Sequence, residues 1–541
     1  MMKQKYEEAS KEFLRVLEIT SKSRHAVDAT VLFESIADNR LSSQSLQRLE
    51  VQIKRQDVRN LLTIKLAEKL YSIGDIFQAQ RLLDEHLPIG KGGKYERRIQ
   101  ALREKFSKGL NIKIGVLLPL MKRSTDGIVK SVAQDVLEGS TFALGEFKEN
   151  VDPFINISLE IRDTERDVEI ATSYIHDLTQ LNDLIAIIGP LFSNVVEACG
   201  QVSNRAKVPL ISPTANAVGL GSIGRYVFQA TPNLAKQGKA IAQYAVNFLK
   251  CKTLAMLAPD DSNSKILAHY FSEEVQNLGS NVLAVEFYTK DSSDLRGQIM
   301  NIRKAGMTNE PQISFEGNLS EKEILKMVRA GANERKVDSL RAIGGRIGVY
   351  QLFGLNGKKI ADSLRLKVII PEHNVENLQI PLTAIDGIFV PLENADDIGV
   401  VGSQMAYYNI KTQLLGNGEW YDLNQLDANR RYINGVIFPS DSYLDKEDSS
   451  YMKFEQSYFR AKGKKPTLNV LFGYDTMNLI LTQIANGMTT REKLVNALRR
   501  IQKYPGLHSR FTFDDDGVNS EVNIIQYFNG KIQKSAEIAV H

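Results

Sequence analysis

The stretch "LIAIIGPLFSNVVEACGQVSNRAKVPLIS" (residues 184–212) opens on an unbroken apolar run, passes through an amphipathic segment and closes on a second apolar run. "LIAIIG" predicts a strand buried on both faces, residues 194–206 have the period of a helix, and "VPLIS" predicts another strand. Two strands joined through a helix run parallel, and the crossover is right-handed. A sheet built this way must be covered by helices on both faces.

The same alternation extends in both directions. Upstream lie a strand at Ile112–Leu118 ("IKIGVLL"), a helix at 129–147 with Val132, Val136, Leu137, Ala143, Leu144 and Phe147 inward, a strand "INISLEIRD" and a helix at 168–181. Downstream, after Thr231, come a helix at 234–249, "TLAMLAP", a helix at 264–278, "NVLAVEFY" and a helix at 292–304. Residues 305–380 mix polar, glycine-rich and short apolar segments and read as an insertion. The alternation resumes with "IDGIFVPL", a helix at 396–409, "TQLLG" and "GVIFPS", then long helices at 450–461 and 468–486. "RFTFDDDG" and "EVNIIQYFNGKI" end the chain in a hairpin pattern. The expected architecture is two Rossmann-like α/β lobes, with the chain crossing between them more than once.

Ahead of them, the first 108 residues read as helix throughout. "YEEASKEFLRVLEI" places Tyr6, Ala9, Phe13 and Leu17 on one stripe, and "LAEKLYSIGDIFQAQRLLDEHLP" repeats the pattern with Leu66, Leu70, Ile73, Phe77, Leu82 and Leu83 across a turn at Gly74-Asp75. A helix ending in Gly-Asp, then an aromatic, an Ala and a closing Pro88 resembles a tetratricopeptide hairpin. Ala9 and Ala79 stand 70 residues apart, close to two repeats of about 34 residues. A generic helical bundle accounts for the same pattern. "PIGKGGKYERR" (88–98) is a glycine- and lysine-rich break before one more short helix.

Composition narrows the function classes. With 541 residues, 43% of them hydrophobic and 24% charged, the chain has room for about three globular domains. No apolar run reaches the 18 or more residues that a membrane-spanning helix needs. The net charge of +4 is uneven: residues 1–110 hold 21 Lys and Arg against 15 Asp and Glu, the remainder 47 against 49. The basic excess fits a solvated helical face better than a site for an anionic surface, and no basic patch interleaved with aromatics points to nucleic acid. Cys199 and Cys251 form no C-x-x-C and their spacing neither requires nor excludes a bridge. The seven histidines show no metal-ligand spacing. "MMKQKYEEAS" is polar and helical, without an apolar core or cleavage site, so the chain as given carries no export signal and is either cytoplasmic or written without one.

Catalytic motifs are missing. Gly219, Gly221 and Gly224 match G-x-G-x-x-G, but seven residues part them from the preceding strand, "RYVFQ" after them reads as strand rather than helix, and 225–259 contains no acid for a ribose. The glycines read as a surface loop, and no cofactor is expected. No P-loop, G-x-S-x-G or H-E-x-x-H occurs. Asp514, Asp515 and Asp516 are adjacent rather than alternating, which suits a hairpin turn better than calcium. Neither catalytic residues nor a metal site is expected.

In open parallel sheets, ligands sit beyond the carboxyl ends of the strands, so the loops there hold the candidates. Ser193 and Asn194 open a helix after "LIAIIG", and hydroxyl and N–H groups at a helix start suit a carboxylate or another anion. "SPTANA" follows "VPLI" with Ser212, Thr214, Ala215 and Asn216. Asp260, Asp261, Ser262 and Asn263 follow "TLAMLAP", and Glu393 and Asn394 follow "IDGIFVPL". One lobe thus offers donors and the other carboxylates, a pairing that suits an amino-acid zwitterion. Residues of these types also fit plain helix caps.

"IKIGVLLPL", "IIGPLFS", "VPLISPTA", "GYDTMNLI" and "FTFDDDG" together resemble the type I periplasmic-binding-protein family, in its branch of leucine/isoleucine/valine-binding receptors. The resemblance covers about 111–541. It implies a domain at 109–541 of two lobes, at 109–232 with 432–520 and at 233–431 with 521–541, joined by three crossings and closing on a small polar ligand. It also implies that Ser193 and residues 212–216 hold an amino-acid α-carboxylate. The family's amino-acid binders place a Tyr where this sequence has Asn263, and the acid for an α-amino group falls at Gly418 or Glu419. Lys122 and Arg123 in the first-strand loop favour a ligand more acidic than leucine. The expectation is a non-catalytic receptor binding an amino acid or a derivative by hinge closure, through Ser193, Asn194, Ser212, Thr214, Ala215, Asn216, Asp261, Asn263 and Glu393. It would work in the periplasm, its export signal trimmed, and serve a membrane permease. A tetratricopeptide-like domain before this fold also resembles the outer-membrane lipoprotein activators of penicillin-binding proteins. That likeness implies an alternative, a protein-interaction module acting on a cell-wall synthase.

Overall fold

A computed structural model describes residues 2–540 apart from 21, 51–52, 73–74, 87–93, 108, 124–126, 151–154, 291, 309–310, 316–318, 370–374, 380 and 383. The chain begins with six helices, α1 (Met2–Ile19), α2 (Arg24–Arg40), α3 (Ser43–Glu50), α4 (Gln56–Ser72), α5 (Ile76–His86) and α6 (Glu96–Ser107). The alternating part follows as β1 (Leu110–Leu118), α7 (Gly127–Asn150), β2 (Ile155–Asp163), α8 (Val168–Thr179), β3 (Leu184–Ile188), α9 (Ser193–Arg205), β4 (Leu210–Ser212) and β5 (Val227–Gln229). Next are α10 (Leu234–Gln243), β6 (Thr253–Pro259), α11 (Ser262–Asn277), β7 (Asn281–Tyr288) and α12 (Arg296–Thr308).

The insertion holds β8 (Gln312–Ser314), α13 (Glu321–Arg329), α14 (Glu334–Ile343), β9 (Arg346–Gly348), α15 (Val349–Phe353), α16 (Gly357–Ser363) and β10 (Val368–Ile369). After it come β11 (Gly387–Val390), α17 (Asp397–Tyr407), β12 (Gln413–Gly416), α18 (Leu423–Ala428), α19 (Arg430–Ile433) and β13 (Ile437–Pro439). The chain closes with α20 (Ser449–Lys462), α21 (Leu468–Ala485), α22 (Arg491–Leu498), β14 (Tyr504–Pro505), β15 (Arg510–Phe511), β16 (Glu521–Phe528) and β17 (Lys531–Ala539).

Two compact units result: residues 1–214, 220–228 and 458–501 form one, and residues 215–219, 229–457 and 502–541 the other. The first contains a five-stranded sheet in the order β2-β1-β3-β4-β5, with β1–β2, β1–β3 and β3–β4 parallel as the buried apolar runs require. Helices α7 and α21 cover it and cross at two glycines. A Cβ on Gly139 would lie 1.9 Å from the Val470 carbonyl oxygen, and one on Gly473 would lie 2.0 Å from that of Val136. Any side chain at either position would force the helices apart.

In the six-helix region, α1 packs on α2, α3 on α4, α4 on α5 and α5 on α6. Phe33, Leu46 and Leu61 fill one core, while Ile64, Ala79, Leu83 and Phe106 fill a second that Leu110 of β1 and Ile155 of β2 also join. The region is therefore cemented to the first sheet by apolar packing. Between its helices the buried Lys65 ammonium pairs with Asp38 at 2.7 Å and Glu68 at 2.8 Å, as a buried charge must. Ala79 is fully buried in α5, whereas Ala9 is half-buried in α1. Ile73, Gly74, the Phe77 side chain and Pro88 lie outside the described residues, as does most of the break at 88–98.

The second unit carries a seven-stranded sheet in the order β17-β16-β13-β12-β11-β6-β7. Strands β7, β6, β11, β12 and β13 are parallel; β16 and β17 add an antiparallel hairpin. β13 belongs to this sheet, although the sequence reading assigned its segment to the first lobe. The expected insertion is a small body of its own. Its three antiparallel strands, β10-β8-β9, pack with α13–α16 around Ile313, Met327, Val337, Val349 and Leu352. Lys336 and Gln351 fasten it to Asp386 ahead of β11, at 2.6 and 3.1 Å.

The G-x-G-x-x-G segment is a short 3-10 turn at Gly221–Ile223 leading into β5. The Asn204 side chain occupies the place where a Cβ on Gly224 would stand and accepts the Tyr226 N–H. These glycines shape a turn. No described helix is long and apolar enough to cross a membrane.

Candidate functional site

Four parallel strands of the second unit deliver their carboxyl-end loops to one cavity of about 370 Å³. Asp261 and Asn263 come after β6, Glu393 after β11, Asn417, Glu419 and Tyr421 after β12, and Asp441 and Ser442 after β13. Asn216 and Gln237 complete the wall. The position is the one that strand direction dictates for an open α/β sheet, and the volume lies within the range of small-molecule sites.

The loops are braced by hydrogen bonds made by lining residues and by the buried groups behind them. Asn417, a buried residue of the wall, accepts the Leu392 N–H at 2.9 Å and donates to the Leu392 carbonyl at 2.8 Å, which ties the β11 and β12 loops together. Trp420 is fully buried, and its indole N–H donates to the Val390 carbonyl at 2.9 Å. Thr231 donates to Asp441 Oδ2 at 3.0 Å.

Against this bracing, two carboxylates stand half-used. Asp261 caps α11 with Oδ1, which accepts the Ser264 N–H at 2.9 Å. Its Oδ2 is buried without a hydrogen-bond partner. Glu393 receives Lys290 on Oε1 at 2.5 Å, while its Oε2 is likewise buried and unpartnered. A buried acceptor left unpaired is costly, more so when it is charged. The Tyr288 hydroxyl is a third such atom. Desolvation first, then the neighbouring charges of Asp397, Asp261 and Glu393, push its ionisation upward. Desolvation followed by the nearby Asp441 also raises the Glu419 carboxyl above the ordinary glutamate range, although its side chain still reaches solvent.

Four of the remaining candidates, Ser193, Asn194, Ser212 and Thr214, belong to the first unit and are arranged differently. Ser193 is the first residue of α9, whose N-cap is Phe192, and Asn194 is exposed. Ser212 is fully buried and donates to the Pro190 carbonyl at 2.6 Å. Thr214 donates to the Leu191 carbonyl at 3.0 Å. These two hydroxyls fasten the turn between β3 and α9. Ala215 and Asn216 fall in the second unit; the Ala215 carbonyl accepts the Gln229 side-chain amide at 2.9 Å. The structure therefore gathers Asn216, Asp261, Asn263 and Glu393 at one cavity.

Gln237, Asn417 and Asp441 were missed by motif, and Glu419 entered only as one of two positions for an ammonium-binding acid, although the post-strand rule applied to "TQLLG" and "GVIFPS" points to Asn417, Glu419 and Asp441. Among the described residues, no group of three or more His, Cys, Asp or Glu side chains is placed to hold a metal ion. Asp514 accepts the N–H groups of Asp516 and Val518, which makes "DDDG" a turn. Both cysteines are buried free thiols, and burial pushes each up to about 12. A larger cavity of about 640 Å³ lies at the opposite, amino ends of the strands. Its buried carboxylate, Asp386, has both oxygens engaged, by Lys336 and Gln351 on one and by the Lys252 and Thr253 N–H groups on the other.

Helices preceding a two-sheet α/β body, with loops converging at the carboxyl ends of parallel strands, define the type I periplasmic-binding-protein fold behind an all-helical region. Residues 111–309 match the family model described as periplasmic binding protein. Solved structures agree on the fold. A candidate branched-chain amino acid ABC transporter protein from Rhodospirillum rubrum superposes with a TM-score of 0.58 at 15% identity, covering 79% of this chain and 100% of that one. A branched-chain amino acid ABC transporter periplasmic ligand-binding protein from Burkholderia xenovorans gives 0.54 at 13% identity, with 79% and 95% covered. Among curated proteins, Glutamate receptor 2.8 of Arabidopsis thaliana is 28% identical over 162 residues, which span 30% of this chain and 16% of that receptor.

Proposed function

We propose that this chain is a non-catalytic, extracytoplasmic solute-binding receptor. It captures a small polar ligand that presents an ammonium group, in the class of amino acids and their derivatives, by hinge closure. One observation carries this reading: Asp261 Oδ2 and Glu393 Oε2 are buried, unpartnered and borne by residues that line one cavity. An ammonium group supplies three N–H donors and a positive charge, which is what two such oxygens lack. The family-model match of residues 111–309 supports the receptor class and the location outside the cytoplasm, and the transporter proteins of like fold support a permease as the partner.

The test is thermal melting of the full chain against amino acids, simple amines, short peptides and cell-wall fragments. A ligand at 100 times its Kd adds about 2.7 kcal/mol, a shift of a few degrees. The shift should disappear in Asp261→Asn, whose new side chain still caps α11. No shift with any compound would overturn the reading.

A second reading has its own support in the helical region. Six helices precede the first strand, and Val27 and Val31 are each 62% exposed one turn apart on α2. A tetratricopeptide-like surface of this kind would serve a protein partner such as a cell-wall synthase. Binding of a purified synthase that is lost in Val27→Glu/Val31→Glu would favour it.

A further inference from the structure

The charge of the cavity says more about the ligand than its place in the fold does. Its lining includes five carboxylates, Asp261, Glu393, Glu419, Asp422 and Asp441, and no lysine or arginine. Among the described residues, Lys290 on Glu393 is the one cation within ion-pair distance of any of them. Asp422 and Asp261 spend one oxygen each on capping α18 and α11, and Asp441 receives the Thr231 hydroxyl, but hydrogen bonds from neutral groups leave the formal charge in place. The Tyr288 side chain, 3% exposed and with an unpartnered hydroxyl, lies within electrostatic reach of Asp397 and of the two half-used carboxylates.

A zwitterion fits this lining poorly. Its ammonium would meet Asp261 and Glu393, yet its own carboxylate would enter a chamber whose lining side chains include amides and hydroxyls but no cation, against an excess of negative charge. A carboxylate so placed finds neutral donors but is repelled by the surrounding carboxylates. A monoamine satisfies one charge and leaves the others. Two ammonium groups without a carboxylate satisfy the surplus best, and the absence of a three-carboxylate cluster among the described residues argues against one compact divalent ion.

Resting on the receptor reading above, we infer that the cavity selects a short aliphatic diamine, an amino-acid derivative lacking the carboxylate, over an α-amino acid. Calorimetric titration of the full chain with 1,4-diaminobutane, n-butylamine, leucine and calcium tests it. The diamine should bind at least tenfold more tightly than butylamine, with neither leucine nor calcium competing. Asp261→Asn and Glu393→Gln should each weaken the diamine at least tenfold, while an unchanged far-ultraviolet circular dichroism spectrum shows that the fold persists.

Leucine binding that Asp261→Asn abolishes, with no diamine binding, would sink this inference and leave the receptor reading intact. Calcium binding in place of the diamine, or diamine binding indifferent to both substitutions, would also overturn it. Silence from every compound, here and in the melting panel, would remove the receptor reading as well.

Discussion

The loops beyond β4 and those beyond β6 and β11 hold the same relation to their sheets, and from sequence they invite the same interpretation. Their hydrogen bonding separates them. In the first unit, Ser212 and Thr214 turn inward and donate to the Pro190 and Leu191 carbonyls. In the second unit, Asp261 and Glu393 each have one oxygen satisfied, by the Ser264 N–H and by Lys290, and keep the other buried and open. A polar side chain at the carboxyl end of a parallel strand is therefore only a candidate. What distinguishes a brace from a binding group is whether its capacity is already consumed by other groups of the protein.

The largest effect on this contrast should come from removing the open carboxylates. Asp261→Asn combined with Glu393→Gln is expected to weaken ligand by at least tenfold, about 1.4 kcal/mol, in a calorimetric titration. On the other side, Ser212→Ala withdraws the donor from the Pro190 carbonyl in a site that excludes water. A loss of about 1–3 kcal/mol of stability is expected, read by denaturant unfolding, with ligand affinity unchanged. If Ser212→Ala instead abolished binding and left stability intact, the two sets of loops would have to be regarded as equals.

A smaller effect concerns Glu419, whose carboxyl is raised above its ordinary range by desolvation and by Asp441. Because the folded form holds this proton more tightly than the unfolded chain, the associated stability is present at low pH and is lost as pH rises through the raised value. Glu419→Gln should flatten that part of the stability–pH curve. An ammonium ligand favours the ionised carboxylate, so affinity should rise with pH across the same window in the wild type and less so in the variant. Smallest of all, Asn194→Ala at an exposed position should change stability by no more than about 0.5 kcal/mol, measured in the same unfolding assay.

Much of the fold was legible because parallel α/β sheets write themselves as separate apolar runs. β6 and β7 occupy the bounds that "TLAMLAP" and "NVLAVEFY" predict. Local capping shifted other boundaries. The helix expected at 292–304 occupies 296–308, because Asp294 accepts the Arg296 N–H and Gln404 accepts that of Leu295, which holds the preceding residues in a turn. The hairpin of β16 and β17 is visible around Asn529-Gly530, but its union with β13 depends on pairs such as Ile437 with Gln526, which no local pattern reveals. The insertion stayed unread because its strands are two or three residues long and its core is separate. At the site, residue type and place in the loop singled out Asp261, Asn263, Glu393 and Asn216. Which oxygens remain open depends on atoms distant in the chain, such as Lys290 beside Glu393.

The most direct measurement is the melting temperature of the Asp261→Asn/Glu393→Gln variant beside the wild type, each free and across the ligand panel. Each carboxylate keeps one oxygen buried and unpartnered at a cost to the free protein, so the free variant should melt no lower than wild type and should lose the ligand-induced shift. A variant that melts lower and keeps the shift would show that these carboxylates hold the fold together and that the ligand binds elsewhere.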